Sequence, residues 1–212
     1  QQPVVETPPP PPPVMSSLTD SFSYALGLSI AKFYKSQGVQ NINDTFVVQA
    51  LRDVQESKEA MSESDANSTI MNYVQAARSE KAAANKKAGE AFLEENKQKT
   101  GVVTLPSGLQ YLVLTEGTGA LPTATDKVRC HYTGSLVDGT VFESSYKNGQ
   151  PIEFSVGGVI PGWTEALKMM KAGSKWRLFI PPQLGYGDMD QGPIAAGSTL
   201  IFDVELLEII KQ

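Results

Sequence analysis

Residues 126–145 read Asp126-Lys127-Val128-Arg129-Cys130-His131-Tyr132-Thr133-Gly134-Ser135-Leu136-Val137-Asp138-Gly139-Thr140-Val141-Phe142-Glu143-Ser144-Ser145, and this stretch decides the fold of the C-terminal half. Val128, Cys130 and Tyr132 alternate with Arg129, His131 and Thr133, the two-residue period of a strand with one buried face. Asp138-Gly139 is a hairpin turn signal. The same alternation recurs downstream in Trp176, Leu178 and Ile180, and again in Leu200, Phe202, Val204 and Leu206. Upstream, Leu109, Tyr111 and Val113 repeat it. One helix interrupts the strands: Pro161 suits a first-turn position, followed by Gly162, Trp163, Ala166, Leu167 and Met170. The spacing predicts an antiparallel sheet wrapped on one short helix, an α+β domain over 101–212.

Before residue 101 the character is different. All but three of the 18 glycines (Gly27, Gly38 and Gly89 are the exceptions) lie beyond it. Asp20 can cap a first helix carrying Phe22, Leu26, Ile30 and Phe33 and ending at Gly38. Asn43 or Asp44 starts a second, with Val47, Leu51 and Val54 on one face, and Ser62 to Asp65 reads as a capping box for a third. No breaker follows except Gly89, so this helix runs to about Lys99, roughly 55 Å at 1.5 Å per residue. Its stripe of Ile70, Val74, Ala77, Ala84, Ala88 and Ala91 is thin and crossed by Lys81, while Glu95 and Lys99 make a solvated i,i+4 pair. Two short helices make too small a core alone, and association is the usual remedy. The expected organisation is a Pro-rich linker over 1–17, an all-α dimerising head over 18–60 and a connecting helix over 61–100. The competing arrangement folds all three helices back onto the C-terminal half.

Half of the 14 prolines, Pro3 and Pro8 to Pro13, sit in the first thirteen residues. Six in a row form a stiff polyproline II spacer, and with no basic flank it reads as a stalk rather than an SH3-type ligand. An opening at Gln1 without Met reads as a processed or trimmed chain.

The chemistry available narrows the function. A net charge of −5 argues against nucleic acid as a partner. One cysteine and one histidine build neither a disulfide framework nor a Cys/His metal site. His131 falls on the strand face opposite Tyr132, away from the core, and Cys130 falls on the core face, where a thiol is a small hydrophobe. No nucleophile elbow or phosphate loop is present. What remains is a set of aromatics near glycine turns, with Tyr132 before Thr133-Gly134 and Tyr186 in Leu184-Gly185-Tyr186-Gly187. Phenolic rings at rims suit a concave binding site.

The order of these segments resembles the FKBP-type peptidyl-prolyl isomerases. The resemblance runs closely over about 126–208 and rests on His131 to Gly134, Asp138 to Ser145, Val159 to Trp163, Ile180-Pro181-Pro182, Leu184 to Gly187 and Leu200 to Leu206. Residues 18–105 look, more loosely, like the N-terminal helical region of the bacterial Mip/FkpA-like branch. The resemblance implies rotation of X-Pro bonds in unfolded or partly folded proteins with no cofactor and no metal, and macrolide inhibitors as ligands. It also implies a homodimer through the N-terminal helices and a place in the bacterial envelope, the periplasm, with a membrane anchor before processing as an open option. Trp163 would form the pocket floor, with Tyr132, Phe142, Phe154, Val159, Ile160 and Phe202 as walls. The Ile160 N–H and the Tyr186 hydroxyl would bond substrate carbonyls, and Ile194 would close the rim. Glu143, where the family most often has Asp, would contact the rim with its carboxylate. The loop from Gly187 to Ala196 also departs from the family, reading Pro193-Ile194-Ala195-Ala196 in place of a frequent Ile-Pro pair. A competing reading makes the protein a dimeric holdase whose helical cleft binds unfolded chains, and a third makes it a catalytically weak binder of Pro-peptides. Removal of residues 1–100 is expected to spare isomerisation of a short peptide.

Overall fold

A computed structural model describes residues 14–39 and 41–210. The stalk expected over Pro8 to Pro13 lies outside the described residues. The chain divides into two compact units, Gln1–Ala77 and Arg78–Gln212.

The first unit is helical. Helix α1 (Leu18–Ser36) is capped by Ser17 rather than by Asp20. The Ser17 hydroxyl accepts from the Asp20 N–H at 3.1 Å, and the Asp20 carboxylate returns to the Ser17 N–H at 2.9 Å. Asp20 thus occupies the third helical position of a reciprocal box, and those hydrogen bonds hold its carboxyl below the usual range. Helix α2 (Asp44–Glu56) is capped by Asn43. Helix α3 (Glu63–Asn96) starts at Ser62, whose hydroxyl accepts from the Asp65 N–H at 3.1 Å. Neither α1 nor α2 buries a residue. Phe22, Phe46 and Met71 are 66%, 72% and 72% exposed, and among the described residues of this unit only Val39 is a buried apolar side chain, so its helices present uncovered apolar faces.

The second unit holds one antiparallel sheet. Its strands are β1 (Val102–Thr104), β2 (Gln110–Thr115), β3 (Lys127–Leu136), β4 (Val141–Ser144), β5 (Ile152–Ser155), β6 (Lys175–Ile180) and β7 (Leu200–Ile210). The order is β1-β2-β6-β7-β3-β4, and β5 also pairs with β3. The Asp138-Gly139 turn closes the β3–β4 hairpin, with Gly139 at φ 84°. Helix α4 (Pro161–Leu167) starts at its proline, as its sequence dictates. Val128, Cys130, Leu178, Val204 and Leu206 are fully buried and cluster with Trp163, Ala166, Leu167 and Met170.

Part of the other face of the sheet, at the β2–β6 pair, is also covered. Phe92 of α3 meets Phe179 at 5.9 Å between ring centres. The Asn96 side-chain amide donates to Gln110 Oε1, and Gln110 Nε2 donates to the Leu93 carbonyl, both at 2.9 Å. The expectation of a solvated connection over 61–100 therefore fails over the last five turns of α3, which share a compact unit with the sheet. A cut at residue 100 would strip this cover. The cut that respects the packing follows Ala77.

Candidate active site

Strand β3 organises the site because two different strands share one of its edges. Val128 opposes Phe154 of β5, and Gly134 opposes Glu143 of β4. Tyr132, between them, faces the core at 4% exposure. On the opposite edge β7 brings Val204 beside Tyr132 and Phe202 beside Gly134. Alternation does the rest: one sheet face receives Tyr132, Phe154 and Phe202 together.

Trp163 enters from the first turn of α4, 3% exposed. Tyr132, Phe154 and Phe202 each stand 5.3 Å from it, ring centre to ring centre, at 88°, 67° and 88°. Phe142 extends the set, 5.5 Å from Phe202 and nearly perpendicular to it. Edge-to-face packing suits the ring quadrupoles and fixes five aromatics with little freedom. Phe142, Phe154, Val159, Ile160 and Tyr186 are half-buried against this cluster, so apolar surface stays accessible around a buried indole. Trp163 and Trp176 both bury an indole N–H without a protein acceptor among the described residues, so that feature does not single out the site.

The close approach of Phe142 and Phe202 depends on Gly134. A Cβ there would stand 2.4 Å from Phe142 Cε2 and 2.7 Å from Phe202 Cε1, closer than any side chain tolerates.

The polar groups are few. Burial and a hydrogen bond to the Glu143 carboxylate push the Tyr132 hydroxyl well above its ordinary range. Burial, then the Glu143 charge, raises Tyr186 as well. Both phenols stay protonated at neutral pH. Among the described residues, the Ile160 N–H donates to no carbonyl in a turn or cap, which leaves it available at the head of α4. The Ser145 hydroxyl, fully buried, accepts from the Tyr132 N–H at 2.8 Å and anchors that backbone.

Not every expected residue sits where the sequence put it. Ile194 is buried in the core cluster, not on an open rim, and is held by a two-residue bridge with Gln191. His131 lies off the core face as expected, stacked on Tyr146 at 4.4 Å with Nδ1 3.0 Å from Ser145 Oγ. Cys130 is sealed in, and burial alone pushes its thiol up to about 12, so no thiolate nucleophile exists at neutral pH. Sequence reasoning misses Ser145 and Gly134 as site residues. Gly134 could have been found as a glycine interrupting a strand, whereas no pattern marks a buried serine.

Comparison with known proteins decides the family. Residues 119–207 match the FKBP-type peptidyl-prolyl cis-trans isomerase domain, and residues 19–113 match the domain amino-terminal to such isomerases. The chain belongs to the FKBP-type peptidyl-prolyl isomerases. It is 42% identical over 201 residues to the outer membrane protein MIP of Legionella longbeachae, covering 91% of this chain and 86% of that one. The FKBP-type 22 kDa isomerase of Escherichia coli is 44% identical over 193 residues, covering 89% of this chain and 94% of the relative. The crystal structure of FkpA from Escherichia coli superposes with a TM-score of 0.72 at 33% identity, over 92% of this chain and 98% of that one. The resemblance drawn from the sequence, the α+β FKBP-like fold after a helical N-terminal region and the isomerase activity all stand on these findings.

Proposed function

We propose that the aromatic basin around Trp163 receives the proline ring of an X-Pro peptide and lowers the barrier to rotation about its amide bond. That barrier is about 18–20 kcal/mol, because resonance makes C–N partly double. No bond has to break, so Cys130 and His131 are not needed as nucleophile or base. The planar amide separates more charge than the twisted one, so moving it from water to apolar rings raises the ground state relative to the transition state. The Ile160 N–H and the Tyr186 hydroxyl would hold the flanking carbonyls, and Glu143 would hold Tyr132 in place for the rotated state. An acceleration of ~10⁵ needs about 7 kcal/mol, more than one hydrogen bond supplies. Pocket shape and desolvation therefore carry more of the effect than any single polar group. The observation that carries this reading is the set of three rings standing edge-on around one buried indole.

The substrates are proline-containing, unfolded or partly folded proteins, and macrolide inhibitors would compete for the same rings. The uncovered apolar faces of α1 and α2 support a homodimer joined through the N-terminal helices, since burying a Phe or Leu side chain is worth about 1.5–3 kcal/mol. A relative named as an outer membrane protein supports a place in the bacterial envelope. The test is cis-to-trans isomerisation of a proline tetrapeptide: the protein should accelerate it, and equal rates with and without protein would end the reading.

A further inference from the structure

Tyr186 belongs to a loop that the sheet does not hold. A single backbone bond, Gly197 N–H to the Gly187 carbonyl at 2.8 Å, closes the neck of this loop, and Asp190 caps the Ala196 N–H at 2.8 Å. Residues Asp188 to Pro193 are exposed. Inside it, Gln191 and Ile194 exchange backbone bonds at 2.8 and 2.9 Å and the Ser198 N–H donates to the Ala195 carbonyl at 3.3 Å, but these bonds are local, so the placement of the loop as a whole depends on what its backbone docks against.

Helix α3 supplies that support along one face. Ala82, Asn85 with Lys86, and Gly89 recur at the spacing of successive turns. The Asn85 side-chain amide donates to the Ala196 carbonyl at 2.9 Å. At Gly197, with φ +73°, a Cβ would stand 2.4 Å from the Ala82 carbonyl oxygen, so the loop backbone lies directly on the helix. At Gly89 a Cβ would stand 2.1 Å from Thr199 Oγ1, so this glycine is what lets the loop's far end dock. Lys86 pairs with Asp188 at 2.6 Å, but both are exposed and such pairs contribute little. The partly buried amide bond and the glycine contact dominate.

We propose that Asn85 and Gly89 of α3 are positioning residues for substrate binding, holding the Gly187–Thr199 loop so that Tyr186, at its base, keeps the geometry a proline peptide requires. The proposal rests on the isomerase reading above. Loosening the brace lowers the fraction of molecules in the binding-competent form, and apparent affinity falls by that fraction. The consequence is a rise in KM with kcat preserved.

The test uses the full chain with Asn85→Ala and Gly89→Ala, and with Glu95→Ala on the same helix as the comparison. Tetrapeptide kinetics are read well below the melting temperature, together with amide hydrogen exchange over residues 187–199. Both α3 variants should raise KM about fivefold, the population shift one net hydrogen bond supports, with kcat within about twofold. The Ala196 and Gly197 amides should exchange faster, and Glu95→Ala should match the wild type. If Gly89→Ala fails to fold, Asn85→Ala decides alone. Unchanged KM and unchanged loop exchange, or lowered melting with KM unmoved, would overturn the proposal while Phe142→Ala still loses activity. A wild type no faster than Phe142→Ala would instead remove the isomerase reading beneath it.

Discussion

At the scale of single residues, the site separates groups that shape a cavity from groups that carry a charge. Phe142 is half-buried and packs edge-on to Phe202, so Phe142→Ala opens the basin to water. The loss in kcat/KM should be on the order of tenfold to a hundredfold, equivalent to about 1.4–2.7 kcal/mol of transition-state stabilisation. Tyr186→Phe removes one hydroxyl and leaves the ring, so it should cost less than Phe142→Ala in the same peptide assay. Cys130 offers a stability readout independent of catalysis. Its folded thiol titrates at about 12 against an ordinary 9.0, so the unfolded chain loses this proton first as pH rises. The thiol's contribution to stability is therefore full below pH 9 and is lost between 9 and about 12, and the raised Tyr132 hydroxyl acts in the same direction above its ordinary 10.0. Cys130→Ala should flatten the decline between urea unfolding curves recorded at pH 8 and at pH 10.5.

At the scale of elements, β3 is the piece on which the rest depends, and its geometry tests a glycine. Gly134→Ala would drive a methyl into Phe142 and Phe202 together. It should cost about 1–3 kcal/mol of stability by overpacking, read from the denaturant midpoint, and lower peptide turnover because both site rings must shift. The one-sided strands were legible because alternation marks which residues face α4: Val128, Cys130 and Tyr132 in β3, and Trp176, Leu178 and Ile180 in β6, all lie on the buried side. Phe179 escapes this pattern, because alternation alone sends it to solvent. It is buried because Phe92 covers it, and the unbroken Leu178-Phe179-Ile180 run was the available sign of a strand covered on both faces. Asn96 and Gln110 escaped for a related reason. They are buried, with the Asn96 amide donating to Gln110 Oε1 and Gln110 Nε2 donating to the Leu93 carbonyl, a chain of bonds between a helix end and a strand that no local period encodes. Ile194 shows the limit of reading a site by resemblance: motif order places the loop, but not the Gln191–Ile194 backbone bridge or the burial of this side chain in the core.

At the scale of the molecule, the two compact units divide the labour of folding unequally. The sheet unit has a continuous core, while α1 and α2 bury nothing. That the two short helices leave their apolar stripes uncovered was legible from composition and length alone. What composition could not place was the boundary, which falls inside α3 at Ala77 rather than near residue 100. A chain of residues 78–212 should fold, sediment as a monomer and turn over a tetrapeptide at the full chain's rate per site. A chain of residues 101–212 should unfold at lower urea, by roughly 3 kcal/mol, for want of the Phe92 and Asn96 contacts. The full chain should sediment as a dimer and exceed the 78–212 fragment on proline-limited refolding of a whole protein, where two linked sites raise effective concentration. Undiminished suppression of aggregation by the fragment would show that the helices hold no clients.

The central claim is that rotation is catalysed by a desolvating aromatic basin with no group gaining or losing a proton. The measurement that bears on it most directly is kcat/KM for a proline tetrapeptide across pH 6 to 8. With Cys130 and both phenols protonated throughout, the account predicts a flat profile. A bell or a sigmoid centred near neutrality would mean that a titrating group takes part, and would contradict it.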